Sequence, residues 1–259
     1  MPAFKTSAII LRRVDYGDYD LILTLFSADQ GKIAVIAKNA KQSRRRFAGV
    51  LELFSLLQVH CSRRREQGLA VLQEAHLIEP FDGLRAQVLK TAYASYWAEL
   101  VLIWAEEQQP LAPLYDLLVY VLGELSRGVR QAAVLNLVFQ MRLLDLAGLC
   151  PNLDACCICK TDLEQVAVKV AGFDLPRGGV CCRLCDAQTV QTLCLSRGTI
   201  KQLQWIAGGD VARTQRMRFS TQALAEAQAF LEAFVPYHLG REPRSLKFLR
   251  QIRNTAAVP

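Results

Sequence analysis

At Pro80 the hydrophobic pattern of this chain changes period, and that change limits the folds open to it more than any single motif does. Before it, apolar residues come in short runs, SAIILRRV, DLILTLF, KIAVIA, VLELFSLLQVHC and LAVLQEAHLI, separated by turn-like stretches that carry Gly17, Gly31 and Gly68. Short apolar runs punctuated by glycine read as strands. Five of them in about eighty residues, with no helix-length pattern, suit a small closed barrel, of which the OB-fold is one kind. After Pro80 the recurrence at Val88, Ala92, Tyr96, Leu100 and Ile103 is that of a helix, stopped near Pro110 and Pro113. PLYDLLVYVLGELSRG gives a second helix and VRQAAVLNLVFQMRLLDLAGLCP a third, ended by Gly148 and Pro151. All three are strongly apolar and are expected to pack as a bundle, with their aromatic residues in its core. Helices resume in TIKQLQWIAGG, TQALAEAQAFLEAFVPYHLG and RSLKFLRQIR. The fold class expected is α+β: a five-stranded OB-type barrel over residues 1–80, a helical domain in two parts, 81–150 and 188–259, and a cysteine-bearing insertion over 151–187.

Charge is not spread evenly along this frame. Up to Arg65 there are twelve Lys and Arg against five Asp and Glu, and nineteen of each sign follow, so the formal +7 sits in the first quarter. A local excess of that kind is an electrostatic footprint for a polyanion, with nucleic acid the leading candidate. It peaks in KNAKQSRRRF, where Lys38, Lys41, Arg44, Arg45 and Arg46 precede Phe47 in the connection between the third and fourth strands. Arg12 and Arg13 end the first strand and Arg63, Arg64 and Arg65 leave the fourth, so the three clusters are candidates for one DNA-binding surface, with Phe47 either a base-stacking ring or a core anchor. A second basic stripe, Arg244, Lys247, Arg250 and Arg253, runs beside Leu246, Leu249 and Ile252 on the last helix, where Lys247 and Arg250 are the candidate contacts.

No apolar run approaches the roughly 18 residues of a membrane span. The N-terminus does not resemble a signal peptide, so the expected location is the cytoplasm, in association with the nucleoid. In that compartment nine cysteines point to metal rather than disulfides. Cys156-x-x-Cys159 and Cys182-x-x-Cys185 form two knuckles separated by 22 residues, and two intervening residues let a chain aim two thiolates at one ion. Cys181 remains an alternative to Cys182 as a ligand. Four thiolates close a tetrahedron, so the expected cofactor is one structural zinc. Cys61, Cys150 and Cys194 read as buried, reduced cysteines.

Catalytic constellations are missing from the sequence. His60, His76 and His238 stand far apart, none of the common phosphate-loop, dinucleotide or hydrolase motifs occurs, and Asp15, Asp18 and Asp20 read as a solvated turn rather than a two-metal nuclease site. The chain is not expected to be an enzyme.

The run YGDYDLILTLFSADQGKIAVIAKNAKQSRRRFAGVLELFSLL, the EAHLIEPF segment, the helical middle and the paired cysteines together resemble the bacterial RecO family of DNA repair proteins across nearly the whole chain. The family's loop usually reads K-G-A; here Asn39 takes the glycine's place, and asparagine tolerates a left-handed backbone better than most residues. The resemblance implies an N-terminal OB-fold, a helical domain and a zinc module. It also implies binding of single- and double-stranded DNA, annealing of complementary strands, and action with RecR to load RecA onto DNA covered by single-stranded-DNA-binding protein, whose C-terminal tail is a further expected partner. The other reading left open is a zinc-ribbon nucleic-acid-binding protein of transcription or RNA metabolism.

Overall fold

The computed structural model describes residues 3–47, 49–63, 68–164, 169–186, 192–208, 214 and 217–256, and divides the chain into two compact units, residues 1–129 with 247–259, and residues 130–246. In the first unit β1 (Ala3–Tyr16), β2 (Asp20–Ser27), β3 (Gly31–Ala37), β4 (Leu56–Ser62) and β5 (Ala70–Glu79) close into a barrel in the order β1-β2-β3-β5-β4. All pairings are antiparallel except β3 with β5. This is the OB-type barrel expected from the run lengths. Alternate residues of β2 and β3 point inward, so Leu21, Leu23, Leu25, Ile33, Val35 and Ala37 share one core with Leu57, Val59 and Leu72.

The fourth strand is shorter than its apolar run suggests. Phe54 takes a left-handed backbone, φ 69°, and its N–H donates to the Ile10 carbonyl at 2.9 Å, while Ile10 N–H donates to Ser55 O at 3.2 Å. These bonds fall where β1 bulges against β2 between Ile10 and Arg12, so VLELFS is spent on a turn that closes onto β1 before β4 begins.

The helices α1 (Val88–Trp104) and α2 (Ala112–Arg127) belong to the barrel's unit, whereas α3 (Ala132–Leu146) belongs to the other. The expected three-helix bundle is thus divided, because helices apolar on several faces do not declare which neighbour they bury against. Tyr93, Tyr96 and Trp97 of α1 are fully buried, each contributing about 2 kcal/mol or more of transfer free energy. Tyr115 of α2 meets Phe26 of β2 at 6.2 Å, and burial pushes its phenol up to about 12. The end of α1 and the α1–α2 linker also lie on the barrel: Lys32 Nζ reaches Leu102 O of α1 at 3.0 Å, and Gln108 N–H of the linker donates to Lys32 O at 3.0 Å.

In the second unit α3, α5 (Arg197–Gly208) and α6 (Thr221–Leu239) pack around a three-stranded sheet, β6 (Val170–Asp174), β7 (Gly179–Cys181) and β8 (Thr192–Ser196), ordered β7-β6-β8, with the single turn α4 (Arg183–Asp186) following β7. The sheet was not expected, since strands this short carry no readable period. Phe173 of β6 stands edge-on to Phe230 and Phe234 of α6 at 4.6 and 5.3 Å, joining sheet to helix. Ser220 caps α6, accepting from Ala223 N–H at 3.2 Å, and Gly240 ends it in the left-handed region. The Glu226 carboxylate accepts from Ser196 N–H at 2.8 Å and Thr199 Oγ1 at 2.6 Å. Burial works against its charge, but these bonds win and bring its pKa down to about 2. The last helix, α7 (Arg244–Ala256), begins in the second unit and is counted with the first from Lys247.

Gly31 shows how closely the linker and barrel approach. It has φ +63°, and a Cβ there would lie 2.1 Å from the Gln109 carbonyl oxygen, whereas a Cβ on Gly17, φ +59°, meets nothing. Gly17→Ala should therefore cost about 1 kcal/mol, the left-handed penalty alone, and Gly31→Ala about 3 kcal/mol or more, because the linker must also move. Urea unfolding followed by circular dichroism measures the difference.

Candidate functional site

The connection from β3 to β4 is held to the barrel by its backbone, and this decides which of its charges face outward unspent. Asn39 adopts φ 54° and opens a single 3-10 turn, Ala40–Gln42, with its N–H donating to Asp20 Oδ1 at 2.8 Å. Lys41 N–H donates to Tyr19 O at 3.0 Å, fastening the turn to the β1–β2 hairpin. Phe47 is 1% exposed, inside the barrel core, and Ala75 N–H donates to the neighbouring Arg46 carbonyl at 3.3 Å. Phe47 is therefore an anchor and presents no face to a base.

The basic residues expected at this surface fall into two groups. Lys41 pairs with Asp15 at 3.0 Å, Arg13 with Glu52 at 2.9 Å, and Arg46 donates to Lys38 O at 2.8 Å while lying 5.0 Å over the Phe47 ring. Arg63 is directed elsewhere, to Gln108 Oε1 at 2.7 Å and over the Phe4 ring at 5.6 Å. Arg12, Lys38, Arg44 and Arg45 are exposed, and their side chains make no hydrogen bond or ion pair among the described residues. Arg13 and Lys41 share the wall of a recess of about 170 Å³ that Phe47 floors. Arg64 and Arg65 lie outside the described residues. On α7, Leu246 and Leu249 are fully buried, Lys247 is exposed, Arg250 is half-buried, and each of the helix's four basic residues has an interaction partner within the protein.

The acidic turn is spoken for: Asp15 by Lys41 and Asp20 by the Asn39 N–H. His60 and His76, distant in sequence, meet edge-on at 6.3 Å across β4 and β5. Among the described residues, the group of His, Cys, Asp and Glu side chains able to hold a metal ion is Cys156, Cys159, Cys182 and Cys185, whose Sγ atoms all lie within 4.8 Å of one another.

The fold builds that centre from two turns held side by side. Asn152 N–H donates to Gly178 O at 2.9 Å and Val180 N–H returns to Asn152 O at 3.0 Å, aligning the first knuckle with β7. Lys160 N–H closes the first turn on Cys156 O at 3.0 Å, and Cys185 N–H closes the second on Cys182 O at 2.9 Å. A tetrahedron of thiolates at about 2.3 Å from an ion separates its sulfurs by about 3.8 Å. Cys159 and Cys182 stand at 3.7 Å, so the donors fit one such ion. Thr161, by hydrogen bonding, brings the Cys159 thiol down to about 6. Burial opposes the Cys156 thiolate, but the N–H groups of Cys182, Cys159 and Ile158 outweigh it and hold its pKa low, whereas Cys185, sharing a proton with Cys182, is pushed up to about 12. Four thiols so arranged resist full ionisation by themselves, and a dication supplies the missing positive charge.

Cys181 is not in the cluster. It faces Cys157 at 3.0 Å, because successive residues at the end of β7 point to opposite sides. Cys61 is buried as expected, but Cys150 and Cys194 are exposed, the first after the Gly148 turn and the second on the outward side of edge strand β8.

Comparison with known proteins adds a family. Residues 1–81 match the model described as Recombination protein O N terminal, and residues 85–247 the model Recombination protein O C terminal. The chain is 42% identical over 254 residues to a DNA repair protein RecO of Desulfatibacillum aliphaticivorans, covering 98% of each. It is 41% identical over 259 residues to a DNA repair protein RecO of Desulfosudis oleivorans, covering 98% of this chain and all of that one. A DNA repair protein RecO of Anaeromyxobacter dehalogenans is 36% identical over 252 residues, 97% of this chain and 98% of its own length.

If the cluster holds metal through these four sulfurs, Cys182→Ser should lose metal and Cys181→Ser should keep it. Elemental analysis of protein purified without chelator should find about one ion per chain in the wild type and in Cys181→Ser. Chelation should lower the melting temperature of the second unit, since structural sites of this kind contribute folding energy directly.

Proposed function

The chain belongs to the RecO family of DNA repair proteins, and on that premise we propose that it is a recombination mediator that holds DNA by its phosphates on the rim of the N-terminal barrel and performs no catalytic step of its own. The observation that carries this reading is the group Lys38, Arg44 and Arg45. Their side chains are exposed, without partners among the described residues, on a loop whose backbone is fastened at Asn39, Lys41 and Arg46. A fixed loop with unspent cations meets phosphate without first breaking internal ion pairs. Its contacts are with the backbone of the nucleic acid and carry little sequence information. Arg12 extends the same positive surface along β1, Arg13 and Lys41 shape it while pairing with Glu52 and Asp15, and Arg46 is held by the Lys38 carbonyl.

Annealing requires two strands at once, and Lys247 with Arg250 on α7 are assigned to the second. Single- and double-stranded DNA are the substrates of this reading, RecR and the C-terminal tail of the single-stranded-DNA-binding protein its protein partners, and RecA an indirect one. Zinc is the metal that best suits four cysteine sulfurs with no open position, and its role is structural. The setting is cytoplasmic. In keeping with that, no helix among the described residues is long and apolar enough to cross a membrane.

Each single-strand phosphate neutralised contributes about 0.7 to the slope of log affinity against log salt. Replacing Lys38, Arg44 and Arg45 together by Ala should flatten that slope by roughly 2 for mixed-sequence oligonucleotides, alike for each sequence. Stability should change by no more than about 0.5 kcal/mol, these being exposed loop positions. A triple variant with the wild-type slope would remove the rim from the DNA path.

A further inference from the structure

Two rings stand exposed beside the basic loop. Tyr16 ends β1 and Tyr19 precedes β2, and between them the hairpin turns through Gly17, φ +59°, and Asp18. Tyr16 is 55% exposed and Tyr19 48%, so neither ring is spent on the barrel core. Phe47, the aromatic residue that the sequence places next to the charges, is buried. The loop therefore has phosphate-binding groups and no stacking face of its own, while the hairpin has stacking faces.

The two elements are joined at three points. Lys41 N–H bonds Tyr19 O, Lys41 Nζ pairs with Asp15 next to Tyr16, and Asp20, next to Tyr19, accepts from Asn39 N–H. These contacts also deal with the hairpin's acidity, which would otherwise repel a polyanion. Asp15 is paired with Lys41 and Asp20 is tied to backbone, so the charges of Asp18 and Asp20 stand against the unspent Lys38, Arg44 and Arg45.

We propose that Tyr16 and Tyr19 form a base-stacking platform for single-stranded DNA, receiving unpaired bases whose phosphates lie on the neighbouring loop. The proposal rests on the phosphate-binding reading above and adds a preference that charge alone cannot give. Every base offers a π-face when unpaired, and in a duplex those faces are already stacked, so the platform favours single strands without selecting sequence. Gly17 and the backbone bond from Lys41 hold the platform before DNA arrives, which limits the ordering cost of binding.

The test measures binding of a thymidine oligonucleotide, a duplex, and an abasic oligonucleotide with the same number of phosphates, each across a salt series. Removing both rings as Tyr16→Ala with Tyr19→Ala should weaken thymidine binding at least about twentyfold, taking fivefold or more for each ring. The salt slope and duplex binding should not change, and Tyr16→Phe with Tyr19→Phe should bind as the wild type does. The wild type, for its part, should bind the abasic strand about as weakly as the alanine variant binds thymidine. Wild-type affinity in the alanine variant, or equal binding of abasic and thymidine strands by the wild type, overturns the platform. If the Lys38, Arg44 and Arg45 variant still flattens the slope in that case, the phosphate reading survives the failure of this one.

Discussion

Burial of Phe47 in the barrel core is the constraint on which the basic rim depends. Five cations in nine residues repel one another, and an unanchored loop of that composition would spread into solvent. Seating one ring at the loop's end contributes about 2–3 kcal/mol and fixes where the chain re-enters the barrel. With that end fixed, and with Asn39 and Lys41 tied to the β1–β2 hairpin, the residues between have few places to go. Lys41 spends its charge on Asp15, while Arg46 is held in place by the Lys38 carbonyl. The remainder faces water.

A comparable division of labour runs through the cysteine-bearing segment. Six cysteines lie in two short stretches, and strand β7 sorts them: Cys182 turns to the four-sulfur cluster and Cys181 to Cys157. The sheet that carries this arrangement is locked to α6 through Phe173, so a metal at the cluster would staple the knuckles to a core that already has its own apolar packing. The barrel and its loop are built from separate contacts. A metal there would act on the stability of the second unit, apart from the surface assigned to DNA.

What could be read in the sequence followed from periodicity and spacing. The barrel strands were legible because glycines separate apolar runs of strand length, and Asn39 was legible as a left-handed residue because a glycine is usual there. The start of β4 was not, since VLELFS is as apolar as a strand and only the contact with Ile10 reveals the turn. Strands β6 to β8 were too short to show a period, and the partition of α1 and α2 from α3 depended on which surfaces meet. The two knuckles could be read from spacing, but the choice of Cys182 over Cys181 needed the direction of β7. The loop's charge count was plain, yet which cations remain unspent depends on Asp15, which pairs with Lys41 across the barrel hairpin. The exposed pair Tyr16 and Tyr19 had a signal, two aromatics flanking a glycine turn, that was overshadowed by the acidic residues around it.

The central claim is that DNA lies along the loop carrying Lys38. Lysine footprinting by acylation and mass spectrometry, with and without saturating single-stranded oligonucleotide, tests it on the intact chain. Lys38 should be strongly protected by DNA, while Lys5, exposed on β1 and outside the loop, should react at the same rate in both samples. Equal reactivity of Lys38 with and without DNA, alongside protection of lysines elsewhere, would contradict the account and move the DNA off the barrel rim.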